Sequence, residues 1–132
     1  MDGKGVPLSI VATGANVHDA RKVEEVLSGI LIPLPDKTTV HLCADAGYIG
    51  PEQRETMIAH GYIPHVRGRG EEKQELQRIP GHRARRWVVE ACHSWMNRFR
   101  KLLVRFEKTL ESYMALLHFA CAIICWNRVI QR

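Results

Sequence analysis

Two carboxylates stand where metal-dependent chemistry would need them. Asp45 closes the run Thr38–Ala44 (TTVHLCA), which is β-branched and apolar and reads as a central strand, and it opens the turn Asp45-Ala-Gly-Tyr. Catalytic groups in open α/β sheets collect at the carboxyl ends of strands. A carboxylate there suits a hard cation, and Gly47 lets the backbone turn at once. The same aspartate would equally cap a turn. Glu90 lies in a helical pattern where Arg83, Arg86, Ser94 and Asn97 all fall within about 40° of it. Arg86 precedes Glu90 by four, the poorer orientation for a helix-stabilising pair, so charge pairing alone does not account for the stripe. Arginines around a carboxylate suit phosphate chemistry, the guanidiniums contacting phosphates while the carboxylate holds a metal ion. Carboxylates that share a pair of Mg²⁺ ions stabilise both oxygens of an in-line phosphoryl transfer.

Residues 83–108 hold eight Lys/Arg against two Glu. Trp87, Trp95 and Phe99 interleave with Arg98, Arg100, Lys101, Arg105 and Lys108, a mixture able to stack on and neutralise single-stranded nucleic acid. Helical spacing gives Trp95, Phe99, Leu102 and Phe106 a second reading as one core face. His18, His41 and His118 form no HExxH-type metal pair and read as structural. Cys43, Cys92, Cys121 and Cys125 have no metal-site spacing and read as reduced. No P-loop, GxGxxG or Ser-His-Asp pattern supports nucleotide binding or a serine nucleophile.

The elements that must position these groups follow from pattern. Val6–Thr13 (VPLSIVAT) predicts a strand and Asp19–Ile30 a helix with Asp19 as N-cap. Pro51–His60 predicts a short helix with Gly50 and Gly61 at its ends, and Tyr62–Val66 a strand. Strand, helix, strand at this spacing predicts a parallel βαβ crossover. Residues 67–81 read as a loop, about 82–107 as one long helix, and about 110–130 as a closing helix that other elements must cover.

A length of 132 residues suits one soluble domain. Residues 1–60 carry a net charge of −3 and residues 61–132 a net of +8, an asymmetry that points to a polyanionic partner. The longest near-apolar run, Tyr113–Trp126, has 14 residues, short of the about 20 that span a bilayer. The first residues lack the apolar stretch of a signal peptide. The expectation is a cytoplasmic protein with no membrane contact.

At these residues a resemblance appears. PLSIVATGANVHD, HLCADAGYIG, RRWVVEACHSWMNRFRKLLVRFEK and ALLHFACAIICWNRV resemble, in order, the C-terminal part of the DDE transposases of bacterial insertion sequences. The resemblance covers essentially the whole chain. It implies an α/β fold with an RNase H-like mixed sheet and flanking helices. It also implies three carboxylates working with Mg²⁺ (or Mn²⁺) to cut element ends and join them to target DNA. Asp45 matches the second aspartate and Glu90 the glutamate. Around that glutamate the family carries Tyr-x2-Arg-x3-Glu-x6-Lys. Arg86 matches its arginine, whereas Arg83 replaces the tyrosine and Asn97 the lysine. The first aspartate lies upstream of this sequence in the family, so the resemblance implies an N-terminally truncated domain whose sheet lacks strands between VPLSIVAT and TTVHLCA.

The resulting expectation is a transposase catalytic domain, incomplete by itself, with Asp45 and Glu90 as catalytic metal ligands. Arg83, Arg86, Asn97, Arg98, Arg100, Lys101 and Arg105 would face DNA. Partners on this reading are double-stranded DNA, as element ends and target, a transposase segment from an upstream frame, and further copies of the chain. An inactive DNA-binding remnant or regulator is the alternative from the binding class. A general RNase H-type nuclease fits the same residues, and strand transfer of a 3′ hydroxyl distinguishes the two enzymes.

Overall fold

Parallel strands cannot be joined by a tight turn and need a crossover. The chain supplies one between residues 40 and 66. A computed structural model describes residues 1–35, 38–66 and 86–130. It divides into two compact units, Thr13–Ala84 and Met1–Ala12 with Arg85–Arg132.

In the first unit, β1 (Val40–Ala44) pairs in parallel with β2 (Tyr62–Val66), in a register running from Val40↔Tyr62 to Ala44↔Val66. Between them lies α2 (Pro51–Ala59), preceded in the chain by α1 (Val23–Ser28). Pro51 fits the first turn of α2, where its missing N–H costs nothing. Gly61 takes φ +82° just beyond the helix, a conformation that disfavours any side chain. Val23 and Leu27 of α1 and Met57 of α2 form the core and pack against Leu42, Ala44, Tyr62 and Val66. The helices therefore cover one sheet face. On the other face His41 and Cys43 are exposed, and His41 Nδ1 lies 2.6 Å from His65 Nε2.

In the second unit, α3 (Arg86–Asn97), α4 (Arg100–Leu103) and α5 (Leu110–Ile130) pack on one another. Val88, Cys92, Leu117, Ala120 and Ile124 are its buried residues. The N-terminal segment packs here too. Gly5 takes φ +83°, and a Cβ on it would sit 3.3 Å from the Trp95 ring and from the Val88 carbonyl oxygen. The Cys125 thiol donates to the Pro7 carbonyl at 3.7 Å.

The crossover, the strand Tyr62–Val66 and the closing helix agree with the sequence reading, and the α/β class stands. Other expectations are corrected. Val6–Thr13 forms no strand: a strand exists only through a partner, and the segment instead starts in a turn held by the Asp2 carboxylate, which accepts from the Lys4 and Val6 amides at 2.8 and 2.9 Å. The helix expected from Asp19 begins with a 3₁₀ turn (Asp19–Lys22) capped by His18, whose Nδ1 accepts from the Ala20 amide at 3.2 Å. The long helix breaks after Asn97, where Arg98 and Phe99 bond back three residues to Trp95 and Met96 and Phe99 turns extended. Phe106, beyond that break, is 74% exposed and leaves the core face. His41 and His118 are exposed, not buried. The loop 67–81 and the first residues of the long helix lie outside the described residues.

α5 is not covered all round. Phe119, Trp126, Val129 and Ile130 stand in solvent. With 21 residues and a stretch of 18 whose mean hydropathy is 1.5, α5 is long and apolar enough to cross a membrane by length and composition alone.

Candidate active site

Asp45 follows the last residue of β1, where the backbone leaves the sheet and enters a 3₁₀ turn (Ala46–Tyr48). Its Oδ1 accepts from the Gly47 amide at 2.9 Å, and the Tyr48 amide donates to its carbonyl. Any Cβ on Gly47 would stand 3.1 Å from that Oδ1, so the cap works best with glycine there. Asp45 is exposed, with one carboxylate oxygen committed to the turn. The strand end thus presents a partly preorganised carboxylate. Both sequence readings of Asp45, cap and cation ligand, are compatible in one side chain.

Sequence reasoning missed two neighbours. The 3₁₀ turn at Asp19–Lys22 packs against the one at Ala46–Tyr48. Burial first, then the negative charges of Asp19 and Asp45, push the Tyr48 phenol up. Asp19 and Asp45 therefore bring two carboxylates to one corner of the same unit. Asp19 is 26 residues upstream on a separate element, and periodicity relates only residues within one element, so no spacing signal could pair them. Beside this corner lies a depression of about 250 Å³ lined by Tyr48, Ile49, Gly50, Pro51, Arg54 and Val66. It falls below the usual volume of a small-molecule pocket, about 300 Å³ and upward.

Glu90 lies on α3, in the other unit. The helix has two faces: Val88 and Cys92 are buried, whereas Glu90, His93, Ser94 and Asn97 are exposed, as is Arg98 just beyond its end. The stripe read from the sequence is thus solvent-facing from Glu90 to Asn97. Arg86 opens the helix, one turn before Glu90. Arg83 lies outside the described residues. Arg100 and Lys101 are exposed on α4. Arg105 is engaged within its own unit: its guanidinium lies 5.1 Å from the Tyr113 ring centre, and its Nε donates to the Glu107 carbonyl at 3.3 Å. Among the described residues no group of three or more His, Cys, Asp or Glu is placed to hold a metal ion.

A family model described as the transposase DDE domain matches residues 42–127, a span that contains both Asp45 and Glu90. The chain belongs to this family. This transposase domain is 33% identical to a Burkholderia cepacia protein named for the transposase of insertion sequence element IS402, over 96% of this chain and 60% of that protein. It is 27% identical to a Brucella ovis protein named for the transposase of element IS6501, over 97% of this chain and 94% of that protein. The transposase domain therefore spans about three fifths of the length of the IS402 relative and nearly all of the IS6501 relative. No solved structure matches it significantly.

Oxygen ligands decide whether the domain suits the divalent metal that its family uses. Mg²⁺ keeps several waters and binds through one or two carboxylates plus substrate phosphates, without an all-protein cage. Asp45 in one unit and Glu90 in the other are each exposed carboxylates, and so each is by itself a hard oxygen donor of the kind such an ion takes.

Proposed function

We propose that this chain is the catalytic portion of a DNA transposase that cuts insertion-sequence ends and transfers the strands into target DNA. The observation that carries the reading is the capped, exposed Asp45 at the end of β1, inside a span that matches the transposase DDE domain. Asp45 and Glu90 would hold Mg²⁺ or Mn²⁺, and the bound metal would supply charge stabilisation to the attacking and leaving oxygens of phosphoryl transfer. The turn at Gly47 holds the Asp45 carboxylate in place, so it need not be ordered when substrate arrives. The backbone phosphates would lie along the exposed stripe from Glu90 to Arg98 and onto Arg100 and Lys101, and Arg83 and Arg86, which precede it in the sequence, would add phosphate contacts. Arg105 contributes to the positive field while stacked on Tyr113. The reading places the protein in the cytoplasm, on double-stranded DNA, with the remaining carboxylate supplied from outside the described residues or from another polypeptide segment.

A second reading has its own support. The exposed Arg98, Arg100 and Lys101 suit an inactive DNA-binding form or regulator as well. Nicking of a plasmid carrying element ends separates the two. The catalytic reading expects Mg²⁺-dependent nicking by the transposase containing these residues, and loss of it in Asp45→Asn and in Glu90→Gln. Nicking that survives both substitutions would sink it. The binding reading expects salt-sensitive affinity without nicking, weakened when Arg98, Arg100 and Lys101 are neutralised together.

A further inference from the structure

β1 and β2 bring two imidazoles edge to edge. Side chains alternate along a strand, so His41 and Cys43 of β1 share a face with Ile63 and His65 of β2, their partners in the register. His41 stands diagonally across from His65. Its Nδ1 lies 2.6 Å from His65 Nε2, closer than the about 2.9 Å of an ordinary N–H···O bond. The ring centres are 4.7 Å apart and the planes are tilted by 46°, so the rings meet through their nitrogens and not face to face. Sequence spacing could not pair them, because 24 residues and a strand register separate the two.

We propose that His41 and His65 form a binding site for a borderline transition-metal ion (Ni²⁺, Cu²⁺ or Zn²⁺), different in donor chemistry from the carboxylates. Imidazole suits these ions, whereas Mg²⁺ takes oxygen. Two nitrogens that bind one ion at about 2.1 Å and at a right angle stand about 3.0 Å apart. From their 2.6 Å contact, the facing nitrogens of His41 and His65 reach that spread by parting about 0.4 Å, a small side-chain rotation. Without metal, one ring donates its proton to the other. On binding, that ring carries its proton on its far nitrogen, and both facing nitrogens present lone pairs. No proton is lost and both rings stay neutral. Among the described residues no third His, Cys, Asp or Glu completes the pair, so water fills the rest of the shell.

The site is built within one supersecondary unit. Both ligands, the strands that carry them and the crossover that fixes their register lie within residues 40–66. The pairing of β1 with β2 alone sets the two nitrogens opposite each other. A bound ion would tie the strands together, and so would raise the melting temperature of the chain in proportion to how far its concentration exceeds Kd.

Calorimetric titration of the untagged 132-residue chain with Ni²⁺ tests the proposal. The expected result is one ion bound per chain. His41→Gln and His65→Gln, each with unchanged circular dichroism, would weaken it by roughly a hundredfold or more, beyond the 10–100-fold that loss of a mere supporting partner costs. Cys43→Ser would leave binding unchanged. An excess of Mg²⁺ on the order of a thousandfold would not displace the ion, because Mg²⁺ does not take imidazole. In the magnetic resonance spectrum of the unsubstituted chain, paramagnetic Ni²⁺ would broaden the amides of His41 and His65 first, a readout that needs no variant to fold. Absence of binding at millimolar Ni²⁺ overturns the proposal. So does binding indifferent to both glutamines, or broadening that begins elsewhere. Binding lost in Cys43→Ser alone would make the ligand a thiol, and displacement by Mg²⁺ would make it a carboxylate; either result overturns the imidazole pair.

Discussion

Replacing Asp45 in two ways separates its two jobs. Its Oδ1 bonds the Gly47 amide at 2.9 Å and so fastens the turn that ends β1. Asp45→Ala removes that bond, and loss of such a cap costs about 1 kcal/mol. For a chain of this size that lowers the melting temperature by roughly 3–6 °C. Asp45→Asn keeps an acceptor oxygen at the same place, and asparagine caps about as well as aspartate, so its melting temperature should move by roughly a degree at most. The metal role behaves differently, because asparagine carries no charge. If the bound ion supplies several kcal/mol of transition-state stabilisation, both variants lose nicking by about a thousandfold. Differential scanning fluorimetry reads the first effect, and plasmid nicking at saturating Mg²⁺ reads the second. Full nicking by Asp45→Asn would refute the metal role. Equal destabilisation by both variants would refute the cap.

Met57 is 1% exposed at the centre of the α1–α2 core, so Met57→Ala should cost about 2–5 kcal/mol in urea unfolding. Hydrogen bonds to Glu24, from His60 first and then Ser28, hold its carboxyl below the usual range. The stability this lends is complete above the ordinary carboxyl pKa and is lost as pH falls through the lowered one. Glu24→Gln should flatten that small acid limb of the stability–pH curve, small because the Glu24 carboxylate is exposed. Burial, helped by Cys92 and Cys125, pushes the Cys121 thiol up to about 11, so alkylation of Cys121 at pH 8 should lag far behind Cys43, as mass spectrometry of a time course would show.

Elements with local causes were legible in the sequence. Pro51, Gly50 and Gly61 bracket α2, the apolar run defines α5, and a helix between two β-branched runs implies parallel pairing. Val6–Thr13 has strand composition and no strand, because pairing is a property of two segments and composition of one. The helix expected across residues 82–107 broke where backbone bonds at Arg98 and Phe99 tightened to three-residue spacing, which periodicity does not register. The site was legible to the same degree. Asp45 was found because it ends a strand, and Glu90 because its stripe repeats along one helix. Asp19 and Tyr48 were not found, because the contact between two 3₁₀ turns joins residues that no repeat relates. The closing helix was read as a core helix because hydrophobicity does not say which side of a helix is covered.

The division of the chain into units has a consequence for the order of folding. In the unit from Thr13 to Ala84 the contacts are local, and the His41–His65 hydrogen bond closes only 24 residues. The other unit is discontinuous, and its Pro7–Cys125 bond spans 118 residues. Loop closure of that length costs more entropy, and the search for it is slower. The βαβ crossover should therefore condense first, while the N-terminal dozen residues wait for α3 and α5 before they can settle. In pulse-labelled hydrogen exchange the amides of β1 and β2 would gain protection ahead of those of Gly5 and Val6, and the reverse order would refute this sequence of events.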